Sequence, residues 1–327
     1  MILVTGGAGF IGSHLVEQLL GRGEAVRVLE QPGAEVDHLP LDQVEMVFAD
    51  IRDANAMVNA TKDCTQVYHL AADPNLWRKD VQEFDNINHI GTVNVLRAAL
   101  DNGAERILHC STESILTSEN ANGHSVENLV LKESDMLGSY CLSKFRAEQA
   151  AFKMAEEGAP VLVVCPTLPV GPGDRRLTPP TRMSVAFCQG KLPAYLECKL
   201  NFIDVRDVAK GMLAAVEHGR TGVRYLLGAE NLHLSDWFQV LAIETGQNVP
   251  KIRVPYSAAL TVAWLSEWWA NSVDGQMPMA TVTGVRLTRR SMFFDASASL
   301  AELKIQPRSV KESATDAVAS YREQGWL

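Results

Sequence analysis

No stretch of this 327-residue sequence is both apolar enough and long enough to cross a bilayer, which takes about 20 residues as a helix. The best candidate, Tyr256 to Trp269, is interrupted by Glu267. It carries Trp264, Trp268 and Trp269, so it could touch a membrane surface or line an apolar channel; packing of an amphipathic helix into the core is the favoured expectation. No charged leader precedes an apolar stretch at the N-terminus, so no secretory signal is expected. Basic clusters are missing too. Lys plus Arg number 30 against 39 for Asp plus Glu, a net charge of -9, and the cations are scattered, which argues against a nucleic-acid partner. The six cysteines (Cys64, Cys110, Cys141, Cys165, Cys188, Cys198) form no C-x-x-C pair, and no histidine stands at a metal-ligand spacing. That excludes a disulfide framework and predicts no metal; reduced, mostly buried thiols in a cytoplasmic protein are expected. There is no internal repeat and no low-complexity tract.

What is present is an alternation. Strand-like runs at Ile2 to Thr5, Ala25 to Glu30, Val44 to Ala49, Gln66 to Leu70, Arg106 to Cys110 and Val161 to Cys165 are separated by helical patterns, notably Ile87 to Leu100 and Ser139 to Glu157. This rhythm predicts an α/β fold: a Rossmann-type doubly wound parallel sheet with helices on both faces. Beyond Pro166 the pattern breaks into segments rich in proline and glycine. The expected division is a dinucleotide-binding domain over 1–168, with a return segment 203–228, and a smaller, mainly helical substrate lobe from 169–202 and 229–327. Glu113 to Gly138, with Asn120, Asn122 and Gly123 at its middle, is too long and polar for an ordinary connection and is expected to be a mobile loop over a site.

Thr5-Gly6-Gly7-Ala8-Gly9-Phe10-Ile11-Gly12 lies where the first strand hands over to the first helix. A tight turn there needs a residue without a Cβ, close approach to a pyrophosphate needs another, and helix-strand packing favours a third; Gly6, Gly9 and Gly12 serve in that order. The helix N-terminus offers free N–H groups to phosphates. Farther on, Tyr140 and Lys144 lie four apart on a predicted helix, so an ammonium can stand near a phenol and lower its pKa. Ser111-Thr112 follows the fifth strand, at the sheet edge where ligands bind, and a hydroxyl there could hold the oxygen that Tyr140 protonates.

Together these residues resemble the extended short-chain dehydrogenase/reductases, over essentially the whole chain. Asp50-Ile51 after the third strand, His69-Leu70-Ala71-Ala72 after the fourth, Asn88-His89-Ile90-Gly91-Thr92 and Phe202 to Asp207 match further family motifs, with Asp204 where the family has histidine. The resemblance implies that Tyr140 is the general acid/base, that Lys144 holds the nicotinamide ribose and depresses the tyrosine pKa, and that Thr112, with Ser111 as an alternative, positions the substrate carbonyl. It implies cofactor contacts from Gly6, Gly9, Phe10, Ile11, Gly12, Asp50, Ile51, Leu70, Ala71, Ala72, Asn88 and Pro166, and a homodimer by analogy. Glu30 ends the second strand about twenty residues after the glycine loop, where a carboxylate accepts ribose hydroxyls and repels a 2'-phosphate, which favours NAD over NADP.

Two positions bear on the reaction. Sugar epimerases of this family hold the substrate's diphosphate with an asparagine after the sixth strand and often an arginine ahead of the Phe-x-His-Val segment. This chain has Leu168 and Leu200 there, and Cys165 to Pro172 looks like the dihydroflavonol-reductase group. Losing the donors of a buried diphosphate would cost several kcal/mol, so a small, largely apolar alcohol or ketone is expected. Pro74, Trp77, Leu168 and Tyr195, with Leu76, are the candidate pocket; Glu113 could meet a polar substrate group or face solvent. Ala71-Ala72-Asp73, Leu76-Trp77, Gly171 to Asp174 and Lys191 to Tyr195 also resemble hopanoid-associated sugar epimerase-like proteins, which keeps a nucleotide-sugar epimerase or dehydratase as the alternative.

Overall fold

Short apolar runs that can bury both faces pair side by side. The computed structural model describes residues 1–117, 129 and 131–327. In it β1 (Ile2–Thr5), β2 (Val26–Glu30), β3 (Val44–Phe48), β4 (Gln66–His69), β5 (Arg106–Cys110) and β6 (Val161–Pro166) form one sheet with a later strand, Arg224–Leu227. All six pairings are parallel, in the order β3-β2-β1-β4-β5-β6 and then Arg224–Leu227. The order reverses between β1 and β4, and a crevice at that switch point is where such sheets bind ligands.

Helices cover both faces, as the alternation predicts. After α1 (Phe10–Gly21) and α2 (Ala54–Ala60), α3 (Gln82–Phe84) runs through a π-helical segment, Asp85–Gly91, into α4 (Thr92–Asp101); α5 (Gly138–Glu156) follows. One core fills the face under α2, α4 and α5, around Leu96, Phe145 and Val163. A second lies on the opposite face around Leu15, Val16 and Met212, where α1 meets a helix from later in the chain.

The chain then builds β7 (Leu168–Val170), α6 (Pro179–Cys188), β8 (Ala194–Tyr195) and β9 (Lys199–Asp204). Asp204 ends β9 and caps α7 (Val205–His218) by accepting the Arg206 N–H at 2.8 Å. That is a physical use for the carboxylate that stands in place of the family's histidine. From α7 the chain regains the main sheet as β10 (Arg224–Leu227) and leaves again through β11 (Glu230–His233), α8 (Leu234–Thr245), β12 (Ile252–Arg253), α9 (Tyr256–Trp269), α10 (Val282–Leu287), α11 (Ser297–Glu302) and α12 (Val310–Glu323). The lobe has its own sheet, β11-β9-β7, and its own core around Phe187, Phe202, Trp237 and Phe238.

One expectation is corrected here. Tyr256–Trp269 is a helix, but it does not pack into the core: Ala263 is its one buried residue, and its tryptophans stand in solvent. The middle of the expected loop, with Asn120, Asn122 and Gly123, lies outside the described residues.

Candidate active site

The glycine loop closes because two positions admit no side chain. Gly6 has φ +72°, and a Cβ on it would stand 2.9 Å from the Ala71 nitrogen; a Cβ on Gly12 would collide with the Gly6 carbonyl oxygen. At the head of α1, Gly9 is the N-cap, with no side-chain cap and no acidic residue in the first turn. Its N–H groups are left for a ligand, and the cradle fits a pyrophosphate.

Thr5 ties this loop to β4 through a chain of bonds whose directions are determined. Thr92 Oγ1 donates to the Asn88 carbonyl at 2.6 Å, so it must accept from His69 Nε2 at 2.9 Å. The other ring nitrogen, Nδ1, is then an acceptor for the Thr5 hydroxyl at 2.8 Å, while Thr5 Oγ1 itself receives the Leu70 and Ala71 N–H groups at 3.2 and 3.1 Å. Burial and the nearby Lys144 hold His69 neutral, its pKa pushed down to about 3. Asn88, in the π-helical segment, accepts the Asp73 N–H at 2.8 Å and gives both amide hydrogens away, to the Asp73 carbonyl and to Ser143 Oγ. Its amide has no hydrogen left for a ligand; it braces the Ala71–Asp73 loop against α5.

Glu30 is buried at the end of β2 and takes the Ala8 N–H on Oε1 at 2.8 Å. Arg176 reaches its other oxygen at 3.4 Å from a loop of the lobe. Sequence reasoning missed that arginine, which lies 146 residues away. Asp50 is held by Arg52 at 3.0 Å, which keeps its carboxyl below the ordinary range, and Ile51 packs under Gly91, where a Cβ would stand 2.7 Å from Ile51 Cδ1. Pro166 is buried at the end of β6.

At the edge of β5 the structure brings Thr112, Glu113, Tyr140 and Lys144 together. Lys144 Nζ is buried and donates to the Cys110 carbonyl at 2.7 Å, its only hydrogen-bond acceptor among the described residues. Two ammonium hydrogens therefore remain, which suits ribose hydroxyls. Thr112 Oγ1 donates to Glu113 Oε2 at 3.1 Å and lies as far from Ser114 Oγ. Burial raises the Tyr140 phenol pKa, with the Thr112 hydroxyl opposing. The net direction is thus opposite to the expected depression, because burial is the larger effect. Burial also pushes the Glu113 carboxyl up to about 7. Ser111 is buried beside the Cys165 thiol.

A family model described as the NAD dependent epimerase/dehydratase family matches residues 2–228. The chain belongs to this family. A Synechocystis sp. protein that carries the provisional name dihydroflavonol 4-reductase is 34% identical over 99% of this chain and 95% of its own. Sterol demethylase protein B of Methylococcus capsulatus is 29% identical, covering 99% of each chain. The crystal structure of gox2253 superposes with a TM-score of 0.88 at 34% identity, over 100% of this chain and 99% of that one. A Pseudomonas aeruginosa nucleoside-diphosphate-sugar epimerase, PA4631, matches with a TM-score of 0.81 over 100% and 98% of the two chains, at 22% identity, and shows the fold alone.

The remaining expected residues of this family member divide. Trp77 is half-buried beside a cleft of about 340 Å³ that it shares with Asn75, Arg78 and Met277. Leu168 and Leu200 stand on the paired strands β7 and β9, both half-buried, and Leu200 touches both the lobe core and the core that carries Tyr140. Pro74 is exposed. The structure places Tyr195 elsewhere: its ring is buried in the lobe core, edge-on to Phe238 at 5.6 Å, with its hydroxyl taken by Arg253 at 3.0 Å.

Proposed function

We propose that this protein interconverts a secondary alcohol and a ketone on a small, largely apolar substrate, using NAD in preference to NADP. The observation that carries the reading is the pair Leu168 and Leu200, apolar side chains on adjacent strands where a diphosphate would need donors. Bound NAD supplies the site that takes up or gives back hydride. Tyr140 gives its phenolic proton to the carbonyl oxygen in reduction and takes it back in oxidation; Thr112 donates a hydrogen bond to the same oxygen. Lys144, fixed by the Cys110 carbonyl, turns its free hydrogens to the ribose. Glu30 selects against a 2'-phosphate.

The division into a nucleotide domain (1–168 and 203–228) and a substrate lobe belongs to the same proposal, as do a cytoplasmic setting, supported by six free thiols, and a homodimer. Exposed Val81 and Ile90 beside and on the helix after β4 suit a contact between copies. A second reading, an epimerase or dehydratase that recycles bound NAD, is favoured by one observation: the high-pKa carboxyl of Glu113 beside Thr112. Incubation with UDP-sugars separates the two, since that reading yields isomerised or dehydrated sugar without net NADH and the first yields none.

A further inference from the structure

We propose that the face built on α9 docks on an anionic lipid surface. Trp264, Leu265, Trp268 and Trp269 are each more than half exposed. The helix spends only a narrow stripe on the protein: Ala263 and Ala270 are buried, and Glu267 turns inward to accept the Val282 N–H at the head of α10 at 2.7 Å. Half of the six tryptophans of the chain thus stand on one helix in water. A contiguous apolar patch of this kind marks an interaction site, and indoles, apolar in body with a polar N–H, favour the headgroup level of a bilayer. The helix has 14 residues and lies along the surface, as an interfacial anchor does.

Charge decides between lipid and a second copy. The segment 246–292 carries Lys251, Arg253, Arg286, Arg289 and Arg290 against Glu267 and Asp274; Arg253 is paired with Glu197 at 3.4 Å and Arg290 is turned to the Thr117 and Asp135 carbonyls, so Lys251, Arg286 and Arg289 set the sign of the face. Lys251, Arg286 and Arg289 are exposed, and Arg289 stands over the Tyr256 ring at the start of α9, 4.1 Å from its centroid. A two-fold contact between copies would set this positive rim against itself. An anionic headgroup layer meets it with opposite charge, at about 1 kcal/mol for each cation near the surface.

The face also leads somewhere. An open apolar groove of about 410 Å³ beside α9 is lined by Leu265, Trp269 and Met277, and Met277 also lines the cleft beside Trp77. On the reading of an apolar substrate given above, that substrate would arrive from the lipid side; the docking itself does not depend on that reading.

The test is flotation of the purified full chain with vesicles of phosphatidylcholine alone and with about 30% phosphatidylglycerol. Binding is read without turnover, so its failure and the failure of the proposed reaction are distinguishable. The expected result is binding to the anionic vesicles that weakens with salt. It falls about tenfold in Trp264→Ser/Trp268→Ser, while Lys251→Glu/Arg286→Glu loses only the gain due to phosphatidylglycerol. Quenching of wild-type tryptophan fluorescence by brominated lipid gives the same answer if a variant does not fold. No flotation with either vesicle, or flotation unchanged in the tryptophan variant, overturns the proposal. So does self-association that the tryptophan variant abolishes without any vesicle binding, which would assign the face to a contact between copies.

Discussion

Thr112 Oγ1 donates its hydrogen to Glu113 Oε2 across 3.1 Å, so the hydroxyl placed to hold the substrate oxygen is shared with a neighbouring carboxyl. Burial pushes that carboxyl up to about 7. Below that pH Glu113 is neutral and leaves the Thr112 hydrogen for a carbonyl; above it the carboxylate claims the hydrogen and sets a negative charge beside the developing alkoxide. For ketone reduction, kcat/KM should fall as pH rises through about 7, by up to tenfold per pH unit. Glu113→Gln should lack that limb. A profile unchanged in the variant would remove Glu113 from the site.

The same carboxyl has a stability consequence of known sign. Its folded pKa is raised, so the folded state binds the extra proton between 4.5 and about 7, and the contribution is full below 4.5 and lost as pH rises through about 7. Tm of the wild type relative to Glu113→Gln should therefore drop over that window in thermal melts.

His69 and His109 act with the opposite sign. Burial lowers both, and stacked rings 5.6 Å apart disfavour two charges. A depressed histidine contributes stability that is present above 6.5 and lost as pH falls toward its folded value. Among the described residues His109 has no hydrogen-bond partner on either ring nitrogen, so His109→Phe should blunt the fall in Tm on acidification from 6.5. A variant that melts as acid-sensitively as the wild type would show that this ring is not the cause.

Glu148 and Arg224 are paired inside the protein, with Arg224 Nε 3.1 Å from Glu148 Oε1 and the carboxylate fully buried. Arg224→Met leaves that charge alone, at a cost of about 3–5 kcal/mol, or roughly 10 °C in Tm. Glu148→Leu/Arg224→Met should recover much of the loss, measured by denaturant titration.

Cofactor choice rests on Glu30 with Arg176 at 3.4 Å. Glu30→Ser removes the repulsion and frees the guanidinium for a 2'-phosphate. Fluorescence titration should show the NADH-to-NADPH affinity ratio moving toward NADPH by about tenfold or more. A ratio that stays put would show that Glu30 does not read the ribose.

Much of the fold was legible because its causes are local: doubly buried strands read as apolar runs, and Gly6 and Gly12 mark places where no Cβ fits. What was illegible depends on tertiary partners. Lys144 bonds a main-chain oxygen 34 residues away, a partner that leaves no mark in the spacing. Nor does the approach of Arg176 to Glu30. Tyr195 is aromatic whether it lines a pocket or fills a core, and only its packing on Phe238 decides. The apolar count of α9 was right and its destination was not, because nothing within 14 residues says whether a neighbour will cover them.

The most direct measurement is NADH oxidation by wild type and Tyr140→Phe across a panel of hydrophobic ketones, with UDP-sugars assayed in parallel. The account predicts turnover of at least one ketone, lost by about 10²-fold or more in Tyr140→Phe with NADH binding retained, and no change in the sugars. Silence across the ketones, with a UDP-sugar converted and no net NADH consumed, would contradict it.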